Sequence, residues 1–178
     1  MLRTVAGDRL GAQAGWPVEI LPRPGGGVGT RWKTGSRAEG SPPALSLSYC
    51  EGWAGFAFAV VGHLGFDIEP AGSVSERAAR RVMSRADLED FDRLDAGCRL
   101  RVATRHWCCA EAVSKAAGEG LPMMLSRRME LRSARQGTWG RYRFAVGETD
   151  AGLSCALATD GPCELETALA RVAVLDHR

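Results

Sequence analysis

A chain of 178 residues can form one ordinary domain, or two small halves that share a core. Its 45% hydrophobic and 25% charged residues are typical of a soluble globular protein, and its net charge of +2 is too small to favour nucleic-acid binding. No apolar run is long enough to cross a bilayer, and six cysteines without a paired C-x-x-C pattern argue against a zinc site or a disulfide framework. Residues 1–10 lack the apolar centre of a signal peptide, so we expect a reduced, cytoplasmic protein without a membrane partner.

The first part of the chain is predicted to contain short strands joined by a long loop. Residues 16–21 predict a strand, and residues 22–43, rich in Gly, Pro and Arg, predict a loop with room for a brief hairpin. Residues 44–50 and 55–61 both show period-two alternation, which predicts two paired strands. Residues 62–70 predict a further short strand.

The middle of the chain has a helical pattern. It begins within residues 75–94, where Ser84 and Asp87 form a capping box ahead of a second helix. The main helix is predicted over residues 99–117 and ends at the glycines that follow it.

The last part of the chain returns to strands. The predicted antiparallel segments are residues 129–133, 139–146 and 152–159. Turns are predicted at 136–137 and 150–152. The tail, residues 163–175, is compatible with either a helix or a final strand.

Two carboxylates, Asp67 and Glu69, lie two residues apart in the strand predicted at 62–70. Side chains at i and i+2 share one face of a strand, so these acids project together while Phe66 and Ile68 face the other side. One face is then apolar and the other acidic. This pattern is typical of a carboxylate site and equally of a strand end with solvated acids.

The main helix adds a third acid, Glu111, and one turn later a lysine, Lys115. The chain has 21 arginines but only two lysines, Lys33 and Lys115. A compact ammonium suits contact with a phosphate oxygen, although the pair is also compatible with an ordinary surface Glu–Lys contact. Three converging carboxylates need a cation or must take up protons, and oxygen ligands without His or Cys favour Mg²⁺ over zinc.

These segments together resemble a known family. "GFDIE" followed about forty residues later by "WCCAEAVSK" is similar to the two signatures of the 4′-phosphopantetheinyl transferases, G-[IV]-D-[IV]-E and W-x-x-K-E-[AS]-x-x-K. "SLSYCEGWAGFAFA" resembles the family's S-x-S-H-x-x-G stretch, and "RVMSRADLEDF" and "GEGLPM" resemble the segments between and after the signatures. The likeness covers roughly residues 16–160, in the order of the larger, pseudo-dimeric, surfactin-synthetase-activating branch.

The resemblance implies an α+β fold of two small antiparallel sheet-plus-helix halves related by pseudo-two-fold symmetry. Residues 1–64 would be a shortened N-terminal half and residues 65–178 the half that carries the acidic motifs, in one compact monomer. It implies an Mg²⁺-dependent transferase of the holo-carrier-protein synthase type. Such an enzyme moves the 4′-phosphopantetheine arm of coenzyme A to a serine of an apo acyl or peptidyl carrier protein and releases adenosine 3′,5′-bisphosphate. The pathways implied are polyketide, non-ribosomal peptide or fatty acid biosynthesis.

The resemblance also implies roles for individual residues. Asp67, Glu69 and Glu111 fall on the Mg²⁺ positions, and Glu111 also falls where a base would activate the carrier serine, so Asp67, Glu111 and Lys115 form the implied catalytic set. Lys115 falls on the lysine that contacts the transferring phosphate. Ser48 and Tyr49 occupy the stretch that touches the coenzyme A phosphates.

Three departures from the family pattern leave alternatives open. Tyr49 stands where the family usually has His, and Ala110 stands where the first lysine of the second signature is expected. The N-terminal half is short, and Arg31 and Lys33 are candidates to replace the basic residues that hold the coenzyme's 3′-phosphate, as are Arg23 and Arg37. A degenerate module that binds carrier protein or coenzyme A with little turnover is therefore an alternative, as is an unrelated Mg²⁺-dependent phosphate enzyme.

Overall fold

The computed structural model describes residues 18–22, 28–35, 39–120, 128–131, 135–162, 164–165 and 174–176. Within these ranges the chain forms nine strands and three helices. In chain order they are β1 (Val18–Pro22), β2 (Val28–Trp32), β3 (Ala44–Cys50), β4 (Trp53–Ala59), β5 (Leu64–Pro70), α1 (Glu76–Ala79), α2 (Arg85–Asp92), α3 (Ala96–Ala117), β6 (Gln136–Trp139), β7 (Tyr142–Glu148), β8 (Leu153–Thr159) and β9 (Val174–Asp176).

The strands form three antiparallel sheets. β1 pairs with β2, the second sheet has the order β3-β4-β9, and the third has the order β5-β8-β7-β6. The predicted α+β class, with small antiparallel sheets and packed helices, is confirmed. The pseudo-two-fold relation and the division between residues 64 and 65 stay predictions.

The long helix α3 is limited by clear end signals. Asp95 precedes it as the N-cap and accepts a hydrogen bond from the Cys98 amide at 3.0 Å. This cap starts the helix three residues before the predicted position. At the other end, Gly118 adopts a left-handed φ of 71°, which closes the helix at the predicted glycine. The N-cap half of the predicted capping box is confirmed, because the Asp87 amide donates to Ser84 Oγ at 3.1 Å; the reciprocal bond is not formed, since the Ser84 amide donates to the Met129 carbonyl oxygen.

The strand β5 is buried on both faces, between two apolar clusters. Phe66 and Ile68 are fully buried and pack in a cluster that contains side chains of β8 and of the second sheet. The opposite face of β5 lies against α3, whose buried residues form the main core with β7 and β8. Because β5 connects these two packed layers, its inward-facing polar side chains are held in a rigid environment.

The turn predicted at 136–137 is wrong. These residues belong to β6, and the turn lies after it, at Gly140, which has a φ of 57°. Gly137 is required by packing, because an added Cβ would lie 2.6 Å from the Phe144 ring and 2.8 Å from the Glu130 carbonyl oxygen. The glycine at position 137 therefore permits close packing inside a strand and does not form a turn.

Two other predictions on the second half have mixed outcomes. The strand predicted at residues 129–133 is reduced to single bridges, Met83 with Met129 and Glu130 with Thr138, and residues 132–134 lie outside the described ranges. In the predicted tail, β9 is a strand that pairs with β4, and residues 166–173 lie outside the described ranges. The chain's end therefore contributes a strand to the second sheet.

Among the helices of the described residues, we find none with the length and apolar character needed to span a bilayer.

Candidate functional site

The acidic residues lie where β5 packs on α3. Asp67 is only 4% exposed, and Glu69, two residues further along the same strand, is half-buried. Glu111 and Lys115 lie one turn apart on α3. We call Asp67, Glu69 and Glu111 the acid cluster.

A glycine sets how closely the strand approaches the helix. An ideal Cβ on Gly65 would lie 1.8 Å from the Ala112 carbonyl oxygen and 2.6 Å from the Ala116 amide nitrogen. Both atoms belong to the helix backbone, so no side-chain adjustment would relieve the clash. A glycine inside a strand pattern is itself a sign of close backbone approach, and Gly65 in "GFDIE" is such a glycine.

This close packing brings the lysine to the strand. Lys115 Nζ donates to Asp67 Oδ1 at 2.7 Å, to the Phe66 carbonyl oxygen at 3.1 Å and to Ser48 Oγ at 3.2 Å. Ser48 Oγ in turn donates to Asp67 Oδ1 at 2.8 Å. The structure therefore brings Ser48, Asp67 and Lys115 into one hydrogen-bonded group, although they come from three different elements.

The second carboxylate oxygen of Asp67 is in a different position. Asp67 Oδ2 is buried and has no hydrogen-bond partner among the described residues. Buried carboxylate oxygens are normally paired, because an unpaired one loses its hydration without compensation. One oxygen of Asp67 is thus bound to protein groups, and the other is enclosed without a partner among the described residues, so a ligand can reach it only after a neighbouring side chain moves.

Glu69 and Glu111 share this electrostatic environment. Burial, followed by the negative charges of Asp67 and Glu111, raises the pKa of Glu69 to about 6 against the opposing effect of Lys115. Burial also raises the pKa of Glu111, the charge of Asp67 adds to the rise, and Lys115 opposes it. The acids therefore repel one another, and one ammonium neutralises the group only in part.

The oxygen atoms of the acid cluster are the candidate ligands for a divalent ion. In the part of the chain that the structure describes, no three Asp, Glu, His or Cys side chains converge closely enough to hold a metal ion. The chemistry nevertheless fits a hard cation: the acid cluster offers oxygen donors, one of them the unpartnered Asp67 Oδ2. The residues present are suitable ligands for Mg²⁺, and the side chains of Glu69 and Glu111 would have to complete the site.

Tyr49, Arg31 and Lys33 lie apart from this group. Tyr49 neighbours Ser48 on β3, but its side chain projects to the other face of the strand and is 80% exposed. Arg31 is exposed on β2 and donates to Glu19 Oε2 at 2.7 Å, so its charge is paired within the β1–β2 hairpin. Lys33 is exposed just after β2. The structure brings Ser48 to the acids and leaves these three residues elsewhere.

The departure at residue 110 lies in the core. Ala110 is fully buried in the main core cluster, against which Trp107 also packs. A small apolar residue suits that position. The alanine therefore belongs to the packing of α3, and the group around Asp67 does not include it.

Sequence reasoning missed a buried thiol beside the acids. Cys108 is completely buried on α3, and its Sγ contacts the Ser154 carbonyl oxygen at 3.6 Å. Burial raises the pKa of Cys108 well above its usual value, and the charge of Asp67 adds to that rise, so the thiol stays neutral. Cys108 lies one turn before Glu111, so helical spacing in the sequence already predicts that the two side chains share a face of α3.

Comparison with known proteins gives one family. The model of the 4′-phosphopantetheinyl transferase superfamily matches residues 63–160, more than half of the chain. This range contains β5, α3 and all of the acid cluster. No curated protein matches the chain. The chain therefore belongs to the 4′-phosphopantetheinyl transferase superfamily.

Proposed function

We propose that this transferase moves the 4′-phosphopantetheine arm of coenzyme A to a serine of an apo acyl or peptidyl carrier protein and releases adenosine 3′,5′-bisphosphate. One observation carries the proposal: the Lys115 ammonium lies 2.7 Å from a buried Asp67 whose other oxygen has no partner among the described residues. The group lies inside the range that matches the family. A cation next to a carboxylate that is only partly satisfied is suited to a phosphate that arrives with a metal ion.

The ion proposed for the site is Mg²⁺, held by Asp67, Glu69 and Glu111. When bound, it would neutralise charge on the pyrophosphate of coenzyme A and so favour attack by an oxygen nucleophile. Hard oxygen donors and a substrate that supplies phosphate oxygens are the usual surroundings of Mg²⁺. Binding also requires ionised carboxylates, and the cation would offset the mutual repulsion that raises the pKa of Glu69 and of Glu111.

Glu111 is the proposed general base. It accepts the proton of the carrier serine as the serine oxygen bonds to phosphorus, while the bond from that phosphorus to the departing adenosine 3′,5′-bisphosphate breaks. Without the ion, burial and the charge of Asp67 raise its pKa; bound Mg²⁺ would offset that rise and keep Glu111 ionised, the form that can accept a proton. Its place in the middle of a long, capped helix keeps its direction fixed.

Lys115 is the proposed contact of the transferring phosphate. Its side chain is 31% exposed, and its three N–H donors are held by Asp67, Phe66 and Ser48, so a phosphate oxygen would bind by replacing one of these acceptors. Its bonds to Asp67, the Phe66 carbonyl and Ser48 hold it in place before substrate binds. Positioned charge of this kind is the main contribution that a protein makes to phosphoryl transfer.

The remaining proposed contacts to coenzyme A come from Ser48, Tyr49, Arg31 and Lys33. Ser48 is in hydrogen-bond contact with the Lys115 ammonium and is the best placed. Tyr49, Arg31 and Lys33 would have to meet other parts of the coenzyme, since their side chains lie away from the acid cluster. We also propose that the chain acts in the cytoplasm, as a monomer of two related halves.

The test is incubation of the protein with an apo carrier protein, coenzyme A and Mg²⁺, followed by intact-mass measurement of the carrier. A mass gain equal to the phosphopantetheine arm, lost when a chelator is added, supports the proposal. Binding of carrier or coenzyme without mass gain would replace it with a degenerate binding module. No binding of either molecule would refute the proposed activity.

A further inference from the structure

A second polar group joins β5 to α3, at the opposite end from Gly65. Thr104 on α3 is fully buried. Its hydroxyl donates to the Leu100 carbonyl oxygen at 2.9 Å and accepts from the amides of Gly72 and Val74 at 3.1 and 3.2 Å. A single side chain therefore satisfies two amides of the loop that follows β5.

The loop is also fixed on its other side. The Ser73 amide donates to the Pro70 carbonyl oxygen at 3.0 Å and closes a turn, and the Ala71 amide donates to the Gly152 carbonyl oxygen at 2.9 Å. The loop therefore has one attachment to the turn before β8 and another to α3. Of these, the Thr104 hydroxyl is the attachment to the helix that carries Glu111 and Lys115.

The acid cluster lies between the Gly65 contact and the Thr104 contact, where β5 and the loop after it meet α3. Gly65 meets the helix at Ala112 and Ala116, whereas Gly72 and Val74 meet it at Thr104, so strand and helix run antiparallel. Asp67 and Glu69 lie between these contacts on the strand, and Glu111 lies between them on the helix. Thr104 precedes Glu111 by seven residues, about two turns, and therefore lies close to the same face of α3.

We propose that Thr104 is a positioning residue, whose hydroxyl fixes the carboxyl end of β5 on α3 and so sets the placement of Glu69 relative to Glu111. The role of those acids as metal ligands rests on the proposed function. The intrahelical bond to Leu100 is common for a threonine in a helix and would not require the loop. The two hydrogen bonds that the Thr104 hydroxyl accepts from loop amides do not belong to the helix. They connect the strand that carries Glu69 with the helix that carries Glu111.

The experiment compares three variants with the wild-type chain. Thr104→Val keeps the shape and removes the hydroxyl, and Thr104→Ser keeps the hydroxyl. The matched control is Thr159→Val: Thr159 is also buried, donates to the His63 carbonyl oxygen at 2.7 Å and accepts from the Gly161 amide at 3.0 Å. It performs the same bridging at the far end of β8, near the start of β5 and away from Glu69.

Binding of Mn²⁺ alone is measured by electron paramagnetic resonance, together with the thermal midpoint of each variant. We expect Thr104→Val to bind Mn²⁺ more weakly by on the order of tenfold, the usual effect of removing a group that orients metal ligands. Thr104→Ser should bind like wild type, and Thr159→Val should lower the midpoint without changing Mn²⁺ affinity.

Equal Mn²⁺ affinity of Thr104→Val and wild type would overturn the inference, and so would an equal loss in Thr159→Val. Absence of Mn²⁺ binding by the wild-type chain would overturn it too. The transfer assay is independent of these outcomes: a wild-type chain that binds Mn²⁺ through Thr104-dependent placement but adds no arm to a carrier would refute the proposed function and leave the inference standing.

Discussion

Two buried aspartates, Asp67 and Asp87, have opposite surroundings. They are 4% and 6% exposed, so both carboxylates are removed from water to a similar degree. Asp87 has contacts on both oxygens, whereas Asp67 has hydrogen bonds on Oδ1 and none among the described residues on Oδ2. Since burial is nearly equal, the difference lies in how each carboxylate is satisfied.

Each oxygen of the Asp87 carboxylate has a polar neighbour, and we call these contacts its completed network, although His106 Nε2 itself makes no hydrogen bond among the described residues. Its Oδ2 accepts from Ser84 Oγ at 2.7 Å and from the Leu131 amide at 3.1 Å, and its Oδ1 faces His106 Nε2 at 3.5 Å, an electrostatic contact that is too long for a strong hydrogen bond. Burial alone would raise the pKa of Asp87, but the contacts with His106, Ser84 and Leu131 outweigh it and lower the pKa. The ionised form is therefore favoured by the fold.

The acid cluster has the opposite character. There, burial and neighbouring acids raise the pKa of Glu69 and of Glu111, so the fold disfavours their ionised forms. At a structural carboxylate such as Asp87, polar groups of the protein contact both oxygens. A group of carboxylates that the surroundings leave incomplete is a candidate for ligand binding. The predictions below would break this distinction or make it sharper.

The largest effect is expected from Glu111→Gln, which keeps the shape and removes the base. Transfer should fall by about 10²–10⁴-fold, the usual contribution of a general base. The thermal midpoint should not fall, because the charge that is removed is disfavoured by burial. Rates come from intact-mass measurement of the carrier. Glu89→Gln, an exposed change on α2, is the control and should leave transfer unchanged; near-normal turnover of Glu111→Gln would exclude the assigned role.

Gly65→Ala should have the next largest effect. Its methyl group would meet the Ala112 carbonyl oxygen at 1.8 Å, so β5 and α3 must separate. We expect a loss near the upper end of the range for overpacking, about 1–3 kcal/mol, together with loss of transfer. Urea unfolding measures the free energy. Gly147→Ala is the matched control, because Gly147 is also in a strand and an added Cβ there meets nothing within 4 Å; equal stability of the two variants would refute the argument.

The sequence predicted most of the fold because its signals are local. The alternation in β3 and β4, the cap at Ser84 and the glycine after α3 act over a few residues, and each was found close to its predicted place. The turn at Gly140 was missed because Gly137 is a long-range packing residue. The sequence alone does not distinguish a glycine that is required by packing against a distant ring from a glycine that is required by a turn.

Part of the candidate site was also predictable. The shared face of Asp67 and Glu69 and the one-turn spacing of Glu111 and Lys115 follow from strand and helix periods. The contact between Lys115 and Asp67 does not, because it depends on how closely β5 approaches α3. Thr104 was missed for the same reason: its loop partners are about thirty residues away in the chain, and no local pattern connects them.

Asp87→Asn tests the completed network. Asn keeps the size and part of the hydrogen bonding but loses the charge, so we expect a loss of about 1.5 kcal/mol at neutral pH. A carboxylate with a lowered folded-state pKa contributes stability above its unfolded pKa, near 3.9, and that contribution disappears as the pH falls through the folded pKa. The difference between wild type and variant should therefore shrink in acid. A difference that stays constant between about pH 7 and pH 3 would show that charge at Asp87 is not the cause. Transfer by this variant should remain normal.

Glu69→Gln should have the smallest effect and the opposite sign. A folded-state pKa of about 6 lies above the unfolded value, so the stability linked to Glu69 is present below about pH 4.3 and is lost as the pH rises through about 6. In chelator, Gln should therefore stabilise the fold by on the order of 1 kcal/mol at about pH 8 and by nothing near pH 4, as measured by urea unfolding. If Glu69→Gln instead destabilised the fold at pH 8, the protein would favour the ionised form of Glu69, as it does for Asp87, and the prediction would be wrong. Saturating Mg²⁺ should reverse the order of stability, because the wild-type chain keeps all three acids and the ion stabilises the state that binds it.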